Sequence, residues 1–140
     1  MPSSPAHAET RVETIAFRVT ARDMADFGRL SGDDNPLHHD PRFAAARGFP
    51  SPVVYGGLLT AQISRLLGTR LPGHGCVWRS LSLKFRKPLH VGQPAALTGA
   101  VRHANEEAGL YLIALRIEAG GALIAEGEAQ VSLPPARGPA

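Results

Sequence analysis

The sequence predicts an α+β fold in which an antiparallel sheet wraps around one buried helix. Three observations predict it: one strand-like segment near the start, an apolar run over residues 53–68, and a series of strand-like segments from residue 78 onward. Alternation of apolar and polar residues indicates strands, and a helix that is apolar on most sides is typical of a protein core. The grouping of strands after helices favours α+β over repeated β–α units.

The first half of the chain is predicted to hold one strand and two short helices. Apolar residues alternate over Arg11–Val19, which indicates a strand. A helix follows Thr20, which lies three residues before Asp23 in a capping-box pattern, and Gly32 is placed to end that helix. The pair Asp40-Pro41 predicts the start of a second helix, with the aspartate as N-cap.

The second half is predicted to form an antiparallel run of strands separated by turns. Residues 88–94 carry a proline at each end and break the pattern, and Gly120-Gly121 suits a two-residue hairpin loop. The four predicted strands are Trp78–Phe85, Ala95–Arg102, Leu110–Glu118 and Ala122–Leu133.

The length of 140 residues predicts one domain, over residues 11–133. The ends, 1–10 and 134–140, are predicted to be flexible. Apolar residues make up 44% and charged residues 19% of the chain, as in globular proteins. The single cysteine, Cys76, has no partner for an internal disulfide, so we expect a buried structural thiol and a cytoplasmic location.

The charge and the apolar pattern of the chain argue against nucleic acid and membranes as partners. The net charge is only +3, without an arginine-rich run, so nucleic acid is not an expected partner. No apolar run approaches the ~20 residues that span a bilayer. The first 14 residues lack the apolar segment of a signal peptide, and no membrane association is expected.

The segment SGDDNPLHHDP, residues 31–41, concentrates costly polar groups in one bend. Asp33 and His38 flank Asn35-Pro36, and the proline restricts the backbone of both residues of that pair. The loop is therefore able to hold the carboxylate and the imidazole toward one point, where they would move a proton. A capped, solvated turn explains the same residues, because Asp, Asn and Pro favour turns.

A metal site is the weaker alternative for this segment. His38-His39-Asp40 offers ligand types for a metal, but adjacent side chains rarely converge on one ion. No second pair at ligand spacing accompanies them. We therefore expect no metal at this site.

Residues 33–41, DDNPLHHDP, resemble the D-x-N-P-x-H-x-D motif of the MaoC-like dehydratases, also called R-specific enoyl-CoA hydratases. The resemblance covers most of residues 15–132, and the loop followed by the apolar helix is a specific combination. Further matching positions are Phe43, Gly56, Leu58, Leu59, Ser64, Leu66 to Gly68, Leu71 to Gly73, Phe85, Pro88, Val91 and Gly92.

The resemblance implies a hot-dog fold, an antiparallel sheet wrapped around one long helix, usually in a homodimer. It also implies an enzyme, a hydro-lyase that adds water to trans-2-enoyl thioesters and gives R-3-hydroxyacyl thioesters, reversibly. Asp33 and His38 would be the catalytic pair. No cofactor is implied, since coenzyme A enters as part of the substrate, and acyl carrier protein is the alternative carrier.

The resemblance implies supporting roles for three further residues. Gly56 matches the position whose backbone N–H stabilises the thioester oxygen, although a plain helix start also explains a glycine there. Asn35 would brace the loop or serve only as a turn residue. Ser64 matches a serine near the catalytic pair, and a hydroxyl satisfied by a helix carbonyl is the alternative.

Two positions depart from the family pattern. Tyr55 stands where the family usually has histidine before the glycine. We expect it to be a further supporting residue of the site, and the departure suggests different geometry on the carbonyl side or a different substrate. Gln93 stands where the family usually has aspartate, and we expect it to affect only a turn.

A basic stretch along and after a strand suits the phosphates of coenzyme A or a solvated strand face equally well. Its members are Arg79, Lys84, Arg86 and Lys87. Two other functions also remain open for the chain: a hot-dog thioesterase and a non-catalytic acyl-binding subunit.

Overall fold

The computed structural model describes residues 11–135, and the ends predicted to be flexible lie outside them apart from residues 134 and 135. A single 3-10 turn, Pro36–His38, lies between the first two helices. The helices and strands, in chain order, are β1 (Val12–Phe17), α1 (Ala21–Ser31), α2 (Pro41–Ala46), α3 (Gly56–Thr69), β2 (Val77–Phe85), β3 (Ala95–Asn105), β4 (Leu110–Ala119) and β5 (Ala122–Ser132).

The five strands form one antiparallel sheet in the order β1-β3-β4-β5-β2. The β4–β5 connection is the predicted glycine hairpin, and Gly120 and Gly121 have φ values of +56° and +77°. A left-handed backbone at both central positions matches the right-handed twist of the paired strands. The sheet therefore continues from β3 to β5 through local turns, and β2, which follows α3 in the chain, pairs with β5 at the edge of the sheet.

Helix α3 packs against one face of this sheet and forms the core with it. Gly99 on β3 allows a close approach of the helix, because a Cβ there would lie 2.6 Å from Leu66 Cδ2. The fully buried residues from the helix and the sheet include Ile63, Leu66, Leu67, Leu97, Ile113, Leu115 and Ile117. Burying each of these apolar side chains contributes roughly 1.5–3 kcal/mol to the stability of the fold. This is the hot-dog arrangement that the sequence predicts.

Local signals set the helix ends where the sequence predicts them. Thr20 accepts a hydrogen bond from the backbone of Asp23, whose carboxylate accepts one from the Thr20 N–H, which completes the capping box. Gly32 ends α1 with a φ of +74°. The Asp40 carboxylate accepts hydrogen bonds from the first turn of α2. These contacts define both ends of the loop between α1 and α2.

Helix α3 begins at Gly56, where the sequence predicts a helix start. The preceding residues of the apolar run stay extended, because Val53 pairs with His90 and the Val54 N–H donates to the Leu89 carbonyl. The helix differs from the prediction in one respect, because it is not buried on all sides within one chain. One stripe of the helix surface is exposed, namely Ala61, Ser64 and Arg65.

The thiol of Cys76 is only half-buried, and it donates to the Leu67 carbonyl at the end of α3. Burial raises the pKa of this thiol above its usual range. None of the helices within residues 11–135 has the length and apolar character needed to cross a membrane.

Candidate active site

The loop between α1 and α2 is held by hydrogen bonds from its own polar side chains. The Asp33 carboxylate oxygen Oδ1 accepts from the Asn35 N–H at 3.0 Å. The Asn35 side-chain oxygen in turn accepts from the Leu37 N–H at 3.1 Å, and its carbonyl accepts from the His38 N–H. Asn35 therefore caps the short 3-10 turn that presents His38, as expected for a bracing residue.

His38 is oriented by a carbonyl far away in the sequence. Its ring nitrogen Nδ1 lies 2.7 Å from the Val53 carbonyl oxygen. A carbonyl only accepts hydrogen bonds, so Nδ1 carries the hydrogen. The neutral ring then has its lone pair on Nε2, which is the nitrogen available to accept a proton. The hydrogen bond to Val53 thus selects the tautomer suited to act as a base.

Asp33 lies at the start of the loop with its carboxylate only partly engaged. Oδ1 accepts from Asn35, whereas Oδ2 accepts no hydrogen bond from residues 11–135. The Asp33 backbone carbonyl accepts from the Tyr55 hydroxyl at 2.9 Å. The carboxylate therefore keeps a free acceptor for a water or substrate hydroxyl.

Two cavities meet at His38, which lines both. The first has a volume of about 550 Å³ and is also lined by Asp33, Asp34, Tyr55 and one side of α1. The second has a volume of about 380 Å³ and lies between the loop and the start of α3. It is lined in part by Gly56, Phe85, Arg86, Lys87 and Leu89. Asp33 and His38 thus share one cavity, and His38 and Gly56 share the other.

The N-terminus of α3 faces the second cavity. Tyr55 is its N-cap residue and makes no capping hydrogen bond from its side chain. The first N–H groups of a helix have no acceptor within it, and the helix dipole is positive there. A Cβ on Gly56 would lie 3.2 Å from the Phe85 ring, so a side chain at this position would crowd the cavity. The start of α3 offers donors to a developing negative charge.

The structure divides the predicted basic stretch. Arg86 and Lys87 line the cavity at His38, and Arg86 also forms an exposed ion pair with Glu126 at 3.1 Å. Arg79 lies at the other end of β2, where it donates to Ser132. Lys84 lines neither cavity at His38.

Within one chain, Ser64 does not lie next to the side chains of Asp33 and His38. It lies on the exposed stripe of α3 and lines neither cavity at His38. Gln93 behaves as expected of a turn residue, because it exchanges backbone and side-chain hydrogen bonds with His90.

The neighbouring histidine and aspartate have separate partners. His39 Nε2 lies 3.1 Å from the Asp34 carbonyl, whereas the Asp40 carboxylate caps α2. Within residues 11–135, no three His, Cys, Asp or Glu side chains are grouped so that they could hold a metal ion.

Sequence reasoning missed four residues that shape the site. Val53 orients His38, and Gly28 lies against the Tyr55 hydroxyl. The Ser51 hydroxyl lies 2.8 Å from His90 Nδ1, which ties the segment before Val53 to the loop after β2. A glycine inside a helical pattern was a signal for Gly28. The other three rest on contacts that no local pattern reveals.

Fold and site together define a class of protein: a hot-dog protein with an acid–base loop beside the N-terminus of its central helix. The family model described as "MaoC like domain" matches residues 3–110. The chain belongs to this family, which confirms the resemblance read from the loop motif and the hot-dog fold that it implies.

Curated relatives and solved structures agree with this assignment. An (R)-specific enoyl-CoA hydratase from Aeromonas caviae is 42% identical over 121 residues, or 86% of this chain and 90% of the relative. A 3-hydroxybutyryl-CoA dehydratase from Methylorubrum extorquens is 32% identical over 87% of this chain and 78% of its own. A solved structure of an (R)-hydratase from A. caviae superposes with a TM-score of 0.85 at 38% identity, over 96% of this chain and all of the other.

Proposed function

We propose that this chain catalyses the reversible hydration of trans-2-enoyl thioesters to R-3-hydroxyacyl thioesters. The observation that carries the proposal is the placement of Asp33 and His38 on one cavity, with His38 Nε2 free to accept a proton. Similar proteins are named as (R)-specific enoyl-CoA hydratases and a 3-hydroxybutyryl-CoA dehydratase. The chain is accordingly a hydro-lyase.

The proposed reaction needs two proton movements, and the site has two groups to carry them. A water loses a proton as its oxygen bonds to the β-carbon of the enoyl group, and a proton is added to the α-carbon. The net result is the addition of one water across the double bond. Asp33 and His38, holding the same water, supply the base and the acid, and dehydration reverses each step.

Negative charge develops on the thioester oxygen as water attacks. The backbone N–H of Gly56, at the positive end of α3, is the proposed donor to this oxygen. Gly56 lines the same cavity as His38, which supports a thioester carbonyl bound at Gly56 with its reacting carbons next to His38. Loss of one such donor costs about 3 kcal/mol of transition-state stabilisation.

The carrier part of the bound substrate is proposed to extend toward solvent through the cavity between His38 and β2. Arg86 and Lys87 border this cavity and are positioned to attract the phosphates of coenzyme A. An acyl-CoA or acyl-carrier-protein thioester is therefore the substrate class.

A homodimer is the proposed assembly, because one chain leaves several surfaces uncovered. Strands β1 and β2 are the edges of the sheet, and Trp78 and Phe85 on β2 are exposed. Pairing through an edge would satisfy its backbone groups and bury these side chains. We also propose a cytoplasmic location, which the single, half-buried Cys76 fits.

The test is to follow loss of the enoyl-thioester absorbance with short and medium acyl-CoA substrates. Wild type should be active and give the R product, whereas Asp33→Asn and His38→Ala should lose turnover and keep the fold. Unchanged rates in both variants would exclude the proposed site. Thiol release from saturated acyl-CoA would instead identify a thioesterase, and tight binding without turnover a non-catalytic subunit.

A further inference from the structure

Tyr55 stands where the family usually has histidine, and the structure places its phenol between the two proposed catalytic residues. Its ring stacks on the His38 imidazole with centroids 4.1 Å apart and planes inclined by 26°. Its hydroxyl donates to the backbone carbonyl of Asp33 at 2.9 Å. Only 4% of the residue is exposed, so this arrangement is packed rather than solvated.

The phenol that contacts Asp33 packs against the backbone of α1 at Gly28. A Cβ added at Gly28 would lie 3.0 Å from the Tyr55 hydroxyl oxygen and 3.8 Å from Cζ. The first separation is tighter than most packing contacts and would force the hydroxyl to shift by a few tenths of an ångström, whereas the second is a normal van der Waals contact. The hydroxyl, and not the ring, is therefore the part of Tyr55 that an alanine at position 28 would crowd.

A second aromatic ring also packs against the phenol. Phe27, next to Gly28 on α1, lies with its ring centroid 4.8 Å from that of Tyr55, at an interplanar angle of 49°. Tilted aromatic pairs at this distance are stabilising. The phenol is consequently held by α1 and by His38, with its hydroxyl end at Gly28.

We propose that Tyr55 is a positioning residue for the hydration reaction and that Gly28 is the structural complement that admits its hydroxyl. The proposal rests on the proposed function. Tyr55 acts through its neighbours: the hydroxyl holds the backbone of Asp33, and the ring holds the plane of the His38 imidazole.

Each contact adds a constraint that the loop alone does not supply. The hydrogen bond from His38 Nδ1 to Val53 fixes one point of the imidazole but leaves the ring free to tilt about it. Stacking on Tyr55 removes that freedom. Misplacing a catalytic group by ~1 Å costs as much as 100-fold in rate, so these constraints should appear in kcat.

The test separates the hydroxyl from the ring. Tyr55→Phe keeps the ring and removes the hydrogen bond to Asp33, and we expect kcat to fall about five- to tenfold, as for loss of one hydrogen bond. KM should stay within about twofold, because Tyr55 positions the reacting groups rather than binding the carrier. Tyr55→Leu removes the stacking as well and should cost roughly 100-fold in kcat.

Gly28→Ala is the second variant of the test, and it is measured both with Tyr55 and with Tyr55→Phe. With Tyr55 present, the added methyl should shift the hydroxyl, weaken its hydrogen bond to Asp33 and lower kcat by up to the same factor as Tyr55→Phe. In the Tyr55→Phe background the same change should cost nothing further. This non-additivity is the signature of a direct pair, and a purely local effect on α1 would lower kcat equally in both backgrounds.

Three results would overturn the proposal, all measured on protein verified as folded by circular dichroism. They are an unchanged kcat in Tyr55→Phe, a rise in KM alone, and additive losses for Gly28→Ala. Failure of the proposed function has a different signature, namely wild-type turnover in Asp33→Asn and His38→Ala. Loss of turnover in those two variants with full activity in Tyr55→Phe would reject only the positioning role.

Discussion

The His38 imidazole is bound through Nδ1 to the carbonyl of Val53, 15 residues further along the chain, at 2.7 Å. Val53 is itself held by its bridge to His90 and by donating its N–H to the Leu37 carbonyl. The His38 imidazole is therefore oriented by the segment that leads into α3, and not only by the loop that carries it. The second nitrogen of the ring is the one left for chemistry.

This relationship predicts different effects for two substitutions at His38. In His38→Asn, the amide nitrogen takes the place of Nδ1 and can still donate to Val53, whereas His38→Gln places its amide near Nε2 and loses that bond. Both should lower kcat by roughly 100-fold or more, because neither amide accepts a proton near neutral pH. Thermal unfolding should show His38→Asn to be the more stable of the two. Wild-type kcat in either variant would contradict the role of His38 as acid or base.

Asn35→Ala should loosen the loop without removing either of the proposed catalytic groups. The change deletes the acceptor for the Leu37 N–H and should destabilise the protein by about 1 kcal/mol, as for loss of a cap. We also expect a lower kcat, because the turn it caps presents His38. Asn35→Asp retains the acceptor and is the control. Equal stability of the alanine and aspartate variants, measured by urea unfolding, would show that the cap contributes nothing.

Two glycines on α3 should respond oppositely to alanine. A Cβ at Gly57 would lie 2.2 Å from Phe27 Cζ, in a ring that is itself packed against Tyr55, so Gly57→Ala should destabilise by about 1–3 kcal/mol. Gly68 has nothing within 4 Å of its Cβ position, so Gly68→Ala should stabilise the helix by up to about 1 kcal/mol. Chemical denaturation of both variants checks the contrast, and stabilisation by Gly57→Ala would contradict it.

Ile63 anchors α3 in the core and has no exposed surface. Ile63→Ala should destabilise the protein by about 2–5 kcal/mol, through lost burial and the cavity left behind. Leu30 on α1 is the matched control, since 78% of it is exposed, and Leu30→Ala should change stability by no more than about 0.5 kcal/mol. Similar losses in the two variants would mean that α3 does not form the core described here.

Ionisation of Tyr55 should lower the stability of the folded protein at alkaline pH. Burial raises the pKa of Tyr55 above its usual range, and the charges of Asp33 and Asp34 raise it further. In the unfolded chain the phenol ionises near about pH 10. The stability from the neutral phenol is thus fully present below that pH and is lost as pH rises through the folded pKa. Between about pH 9 and about pH 11, wild type should lose more stability in urea unfolding than Tyr55→Phe. Parallel pH profiles would contradict this.

Much of the architecture follows from signals within a few residues of one another. The capping box of Thr20 and Asp23, the Asp40 cap and the Gly120-Gly121 hairpin are local hydrogen bonds or backbone preferences, and each appears where the sequence predicts it. The apolar run over residues 53–68 does not by itself show that its first residues are extended, because this depends on the pairing of Val53 with His90. The exposed stripe of α3 was missed, since the apolar composition of the helix does not show which side the sheet covers.

The amino-acid sequence by itself determined the fold class and the family, and it proposed the pair Asp33 and His38, because these depend on composition, short spacings and a motif confined to nine residues. Only the tertiary structure decided which nitrogen of His38 is free and how Tyr55 lies between that pair and Gly28. The physical reason is that these contacts join segments 15 to 27 residues apart. Their geometry exists only after α3 and the loop have packed together.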